Sequence, residues 1–135
     1  MKKVILSVLI SGCILLVLSV VLFYASLYLF PSVAQEYVST VFRNAGDLDW
    51  LYFAHPFILS IGLKWFWERY KTLFKGSLII RAIEVALVYS IVALIPVLWL
   101  TFSAIDVSLP MVLMWLLYGL IQAFVAGLVF AKLNP

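Results

Sequence analysis

Four long apolar runs, separated by short polar stretches, set the pattern of this chain. They cover residues 4–30, 50–74, 78–102 and 109–131. Each is near or above the roughly 20 residues that one helical membrane span needs. None alternates with a period of two, and the runs are apolar on all sides, which fits lipid-surrounded helices rather than the strands of a barrel. Helix is also the form that satisfies its own backbone in hydrocarbon. The pattern predicts an all-α membrane protein: a four-transmembrane-helix bundle forming a single membrane domain over residues 1–135.

The breaks between the runs carry recognisable stop and start signals. Pro31 closes the first run, and Asp47 or Asp49 can cap the second, with Pro56 still near its start. Gly76-Ser77 can end one helix and cap the next. Ser108 can cap the fourth, with Pro110 in its first turn, where a missing N–H costs little. Pro96 lies inside the third run, where it frees the Val92 carbonyl and predicts a kink.

Residues 32–44 form a different pattern. Ser32 and Gln35 have the spacing of a capping box. Val33, Tyr37, Val38, Val41 and Phe42 would share one helical face, and Gln35, Glu36, Ser39, Thr40 and Arg43 the other. The expectation is a short amphipathic helix on the outer membrane surface.

Composition agrees with the bilayer as solvent. Of the 135 residues, 67% are hydrophobic and 11% charged, against about half and about a quarter in soluble domains. The net charge of +3 comes from basic residues that flank apolar runs, so it does not point to nucleic acid. Lys2 and Lys3 precede the first run. Lys64, Arg69, Lys71, Lys75 and Arg81 surround the turn between the second and third, and Lys132 ends the fourth. The opposite side has Arg43 against Glu36, Asp47, Asp49 and Asp106. The positive-inside rule then places both termini in the cytoplasm, N-in and C-in, in a membrane read as a bacterial inner membrane.

Ile10-Ser11-Gly12-Cys13 has the look of a lipoprotein processing site, but the residues after Cys13 are apolar where a mature lipoprotein has a polar tether. The first run is therefore kept as a real helix, with Cys13 as a small packing residue. A lone cysteine excludes an internal disulfide and a CxxC redox pair. Tyr28, Trp50 and Trp99 fall where one aromatic belt belongs, and Trp65, Phe66, Trp67, Tyr70 and Phe74 where the other does.

Three groups of residues are candidate sites. Lys64 and Glu68 are four apart, and Arg81 and Glu84 three apart, so each pair can share a helix face. Together they form a candidate intramembrane charge cluster, either a structural ion-pair set or a proton or ion site. Arg69, Lys71 and Lys75 are expected to contact anionic lipids at the inner face. Gly119, Ala123, Gly127 and Ala131 repeat every four residues, a stripe that lets another helix approach closely, from the same chain or a partner. Gly12, Ser19 and Ser26 make a seam on the first run.

His55 is a weak candidate metal or pigment ligand, because no second histidine or cysteine stands at metal spacing. Gln122 is expected to hydrogen-bond between helices. No catalytic or phosphate-binding motif is present, and no cofactor is implied. The leading expectation is a non-catalytic accessory or scaffold subunit of a larger membrane complex or homo-oligomer. The alternative is a small transporter or proton/ion channel using the Glu/Arg cluster.

Overall fold

A computed structural model describes residues 2–42 and 50–134. The chain is all-helical, with no strand among the described residues. The elements run α1 (Lys2–Leu29), α2 (Pro31–Glu36), α3 (Trp50–Tyr70), α4 (Leu78–Tyr89), a π-helical turn (Ser90–Leu94), α5 (Ile95–Ala104) and α6 (Leu109–Leu133). Three helices are long and apolar enough to cross a membrane: Lys2–Leu29, the continuous Leu78–Ala104, and Leu109–Leu133. α3 has 21 residues but is less apolar, because His55, Pro56 and Lys64 interrupt its run and Glu68 and Arg69 close it.

The helix ends follow local chemistry. Gly76 takes a φ of 101°, a left-handed conformation that glycine alone adopts without penalty. Ser77 then caps α4, its side chain accepting the Ile80 N–H. Ser108 caps α6 in the same way, accepting from Met111, with Pro110 in the first turn. Asp47 and Asp49, the expected caps of α3, and Arg43 lie outside the described residues.

One local expectation is corrected, and one takes a specific form. The helix at residues 32–44 is shorter and starts earlier: it covers Pro31–Glu36, its N-cap is Phe30, and Ser32 makes no capping bond. Proline at the first helical position sets the start, since its fixed φ suits that position and no N–H is wasted. The irregularity near Pro96 lies on its N-terminal side, where Ser90–Leu94 widen into a π turn and the Ile95 N–H reaches back to Ser90 O. One extra residue in that turn absorbs the clash that proline creates with the preceding backbone.

Packing runs through α6 and α1. α6 lies against α4, α1 and α3, and α1 lies against α3. The contacts fix the directions. Ser60 of α3 donates to Val8 O at 3.0 Å, and Tyr52 donates to Ser19 O at 3.3 Å, so α3 runs antiparallel to α1. A Cβ on Gly127 would stand 3.0 Å from Ala82 Cα, and one on Gly119 would meet the Leu94 side chain at 2.8 Å, so α6 runs antiparallel to α4. Lys2, Lys3, Arg69, Lys71, Lys75 and Lys132 thus gather at one end of the packed helices. Glu36 and Asp106 belong to the other end.

The main core holds Leu15, Leu59, Leu63, Trp67, Val85, Ala123 and Phe130. A second, smaller core joins the α2 segment to the start of α6 through Val33, Val107, Met111 and Val112. Glu36 Oε2 accepts the Ser108 N–H at 3.0 Å, and a carboxylate there also suits the positive end of the α6 dipole. The segment after α2 therefore docks on protein through Tyr37 and Phe42, which the sequence pattern had assigned to a membrane surface.

Candidate functional site

At the basic end, the four charged residues of the expected cluster do not converge. Lys64 Nζ lies 2.8 Å from Glu68 Oε1, with the lysine side chain only 2% exposed. Lys71 Nζ lies 3.7 Å from the other carboxylate oxygen. Arg81 and Glu84 do not pair. The Arg81 guanidinium instead sits 4.7 Å from the centre of the Trp67 ring, a cation–π arrangement.

The residue that ties this end together is one that sequence reasoning missed. Asn134, the C-cap of α6, accepts from Trp67 Nε1 at 2.9 Å through its carbonyl. It accepts from Lys71 Nζ at 3.3 Å through Oδ1 and donates from Nδ2 to Glu68 Oε1. Lys64 Nζ also lies 5.1 Å from the centre of the Phe130 ring. The result is a clamp that locks the ends of α3 and α6 together, with Glu68 shared by Lys64, Lys71 and Asn134. Trp67, expected in the aromatic belt, is fully buried because Leu59, Leu63 and Trp67 fall four apart on the core face of α3. Of the three expected lipid anchors, Arg69 and Lys75 are exposed, Arg69 lying over the Trp65 ring at 5.4 Å. Lys71 is drawn into the clamp.

The small-residue stripe is used within the chain. Gly119 faces Leu94 and Gly127 faces Ala82, while Ala123 is fully buried and Ala131 nearly so. The close approach that the stripe permits is the one between α6 and α4. The seam on α1 serves likewise: Gly12 is covered by the Phe57 ring, and Ser19 Oγ accepts from Gln122 Nε2 at 2.8 Å. Cys13, expected to be a packing residue, points outward and is exposed.

Toward the other end, the helices separate and leave a cavity of about 440 Å³. α1 supplies Ser19, Phe23 and Ser26; α3 supplies Tyr52 and His55; α4 supplies Tyr89; α6 supplies Trp115, Tyr118 and Gln122. Tyr37, from the segment after α2, closes one side, its hydroxyl accepting from Trp115 Nε1 at 2.8 Å. Its size falls in the range of small-molecule sites, and apolar walls with a few convergent polar groups are their usual make-up. None of Lys64, Glu68, Arg81 or Glu84 lines it, and no carboxylate, lysine or arginine does so among the described residues.

The polar groups of this cavity are loosely engaged. Tyr52 Oη reaches Ser19 O only at 3.3 Å and lies 3.5 Å from Tyr118 Oη, well beyond the usual 2.7–2.8 Å of a hydroxyl bond. His55 and Tyr89 make no hydrogen bond among the described residues. No group of three metal-ligating side chains surrounds His55 or any other described residue.

A second cavity of about 470 Å³ lies between α3 and α4. His55 and Tyr89 line both cavities. The rest of the second wall is apolar, with Ile58, Leu59, Leu63 and Phe66 facing Val88 and Val92 across the gap. Ile58, Trp65 and Val92 at its rim are exposed, so this cleft opens sideways. The sequence did carry a signal for the first cavity: Trp115, Tyr118, Gly119 and Gln122 share one face of α6 by their spacing. The small residues and Gln122 were read from that face, but Trp115 and Tyr118 were not. No family model, curated protein or solved structure matches this chain.

Proposed function

We propose that this chain is a non-catalytic integral membrane protein of four helical spans, N-in and C-in, that holds a small molecule between its helices. The observation that carries this reading is the 440 Å³ cavity, an apolar-walled space also lined by Tyr52, Tyr118 and His55, whose hydrogen bonds are long or absent among the described residues. Unpaired polar groups at such a place cost free energy unless something completes them.

α3 is the fourth span in this reading. Its 21 residues measure roughly 31 Å at about 1.5 Å each, close to the hydrocarbon thickness, and it lies against both α1 and α6. The gathering of basic residues at one end supports a cytoplasmic placement of both termini and the 71–77 turn. A bacterial inner membrane suits the lysine-flanked first span. Arg69 and Lys75 are the side chains free to contact anionic lipid there. The cavity then lies in the outer half of the membrane. Tyr37 and the α2 segment, the short amphipathic element of the sequence reading, cover it from the outer surface.

An accessory or scaffold subunit is the second reading, and one observation favours it. α5 buries none of its residues, and Val97, Trp99 and Leu100 are all exposed. A partner helix would fit that face, as would lipid. The two readings differ in what leaves the membrane with the protein. Native mass spectrometry after mild detergent extraction is expected to find a small neutral molecule in stoichiometric amount. Ser26→Phe, which fills the cavity from a side chain bonded only within its own helix, is expected to lose it. A protein that carries nothing in either form contradicts the binding reading, and a second polypeptide in its place favours the subunit.

A further inference from the structure

We infer that the two cavities form one site for a lipid-soluble molecule with an uncharged, oxygen-bearing head and a hydrocarbon tail, the head seated in the first cavity and the tail in the α3–α4 cleft. The inference rests on the proposed binding role of the first cavity and adds what that cavity takes. Three observations lead to it.

The first is continuity. His55 and Tyr89 line both cavities, so the two spaces meet at a polar gateway. Neither side chain has a hydrogen-bond partner among the described residues, and a head carbonyl or hydroxyl at the gateway would supply one.

The second is the contrast between the walls. The first cavity offers Tyr52, Tyr118 and Gln122 as neutral hydrogen-bonding groups. The second is apolar beyond the shared pair. A phosphate or carboxylate head would lose its hydration without meeting a described cationic side chain, and that loss is large. A carbonyl or hydroxyl oxygen needs only the donors present. Tyr52 and Tyr118 can turn toward it at little cost, because their present bonds are long.

The third is shape. From His55 to Phe66 the cleft follows α3 for roughly 16 Å at about 1.5 Å per residue. Its floor includes Gly62, where an added Cβ would meet nothing within 4 Å. Gly62 is itself exposed, and the exposed rim of Ile58, Trp65 and Val92 gives a tail a sideways entry. The tail needs no polar contact, only the apolar wall.

The test uses the full chain in phosphatidylcholine nanodiscs. Decyl-trimethylbenzoquinone is the tailed probe, and tetramethylbenzoquinone has a similar head without the tail. Quenching of tryptophan fluorescence reports binding, since Trp115 lines the first cavity and Trp65 the cleft. The tailed quinone is expected to quench saturably. Gly62→Phe is expected to weaken it at least tenfold while leaving the tailless quinone unchanged. Decanol is expected to displace the tailed quinone, and decyl phosphate, with the same tail and an anionic head, is expected not to. Val92→Phe narrows the cleft from the π turn after α4 and serves if Gly62→Phe fails to fold.

If the tailless quinone binds but the tail adds no affinity, or neither cleft variant weakens the tailed probe, the cleft assignment falls while the cavity reading stands. If decyl phosphate competes as well as decanol, the neutral-head assignment falls. If neither quinone binds saturably, the inference falls; loss of the co-purifying molecule in Ser26→Phe then decides separately whether the cavity binds anything.

Discussion

Replacing Gly127 with leucine is expected to break the contact between α4 and α6. A Cβ at this position would stand 3.0 Å from Ala82 Cα and 3.3 Å from Ala82 O. Those are backbone atoms, so no side-chain rotation relieves the clash and the helices must move apart. Moving them opens the core around Val85, Ala86, Ala123 and Ala126. Overpacking of this kind costs typically about 1–3 kcal/mol and occasionally more, and leucine at a backbone contact belongs at the upper end. A loss of about 3 kcal/mol corresponds to a fall in thermal midpoint of roughly 10 °C for a chain of this size. Thermal unfolding in detergent measures it. Gly62→Leu is the matched control, because the same addition there meets open space. Equal midpoints for the two variants would contradict the close α4–α6 approach.

The clamp at the basic end gives the second large effect. Glu68→Ala leaves the Lys64 ammonium, 2% exposed, without its carboxylate. It also removes the acceptor of Asn134 Nδ2. Removing one partner of a buried pair costs about 3–5 kcal/mol; because the Glu68 side chain is 32% exposed, about 2–3 kcal/mol is the expected loss. Lys64→Met is expected to be mild, since methionine fills a similar volume beside Phe130 and leaves Glu68 to Lys71 and Asn134. Combining the two substitutions is expected to restore much of what Glu68→Ala loses. This asymmetry separates a structural ion pair from a transport site. Unfolding midpoints of the three variants decide it: a Lys64→Met as damaging as Glu68→Ala, with no recovery in the double variant, would contradict the clamp.

The legible features were those set by local chemistry. The apolar runs marked the helices, and Gly76, Ser77, Ser108 and Pro110 marked their ends because turn and cap preferences act within three or four residues. What escaped notice depends on partners far along the chain. Asn134 looks like a helix terminator until the end of α3 lies beside it. Trp67 resembles an interfacial tryptophan because its burial is decided by Phe130 and Phe74, not by its neighbours in sequence. The Arg81–Glu84 pair followed from helical spacing, but Trp67 offers the guanidinium a ring to stack on. The stripe at Gly119 and Gly127 was visible, while its partner was not, since small residues permit a close approach without naming the helix that makes it. The cavity is a gap between helices, and no single segment encodes a gap.

The depth and side assigned to the cavity depend on α3 crossing the membrane, so the topology of the two connections on either side of Leu78–Ala104 is the most direct test. In a Cys13→Ser background, Lys75→Cys and Asp106→Cys can be labelled in intact cells with a charged maleimide that does not enter them. The account predicts labelling of the Asp106→Cys variant from outside, and of the Lys75→Cys variant only after the membrane is opened. The reverse pattern, with the 71–77 turn labelled in intact cells and residue 106 protected, would contradict the N-in, four-span arrangement, either because α3 does not cross or because the chain is inserted the other way round.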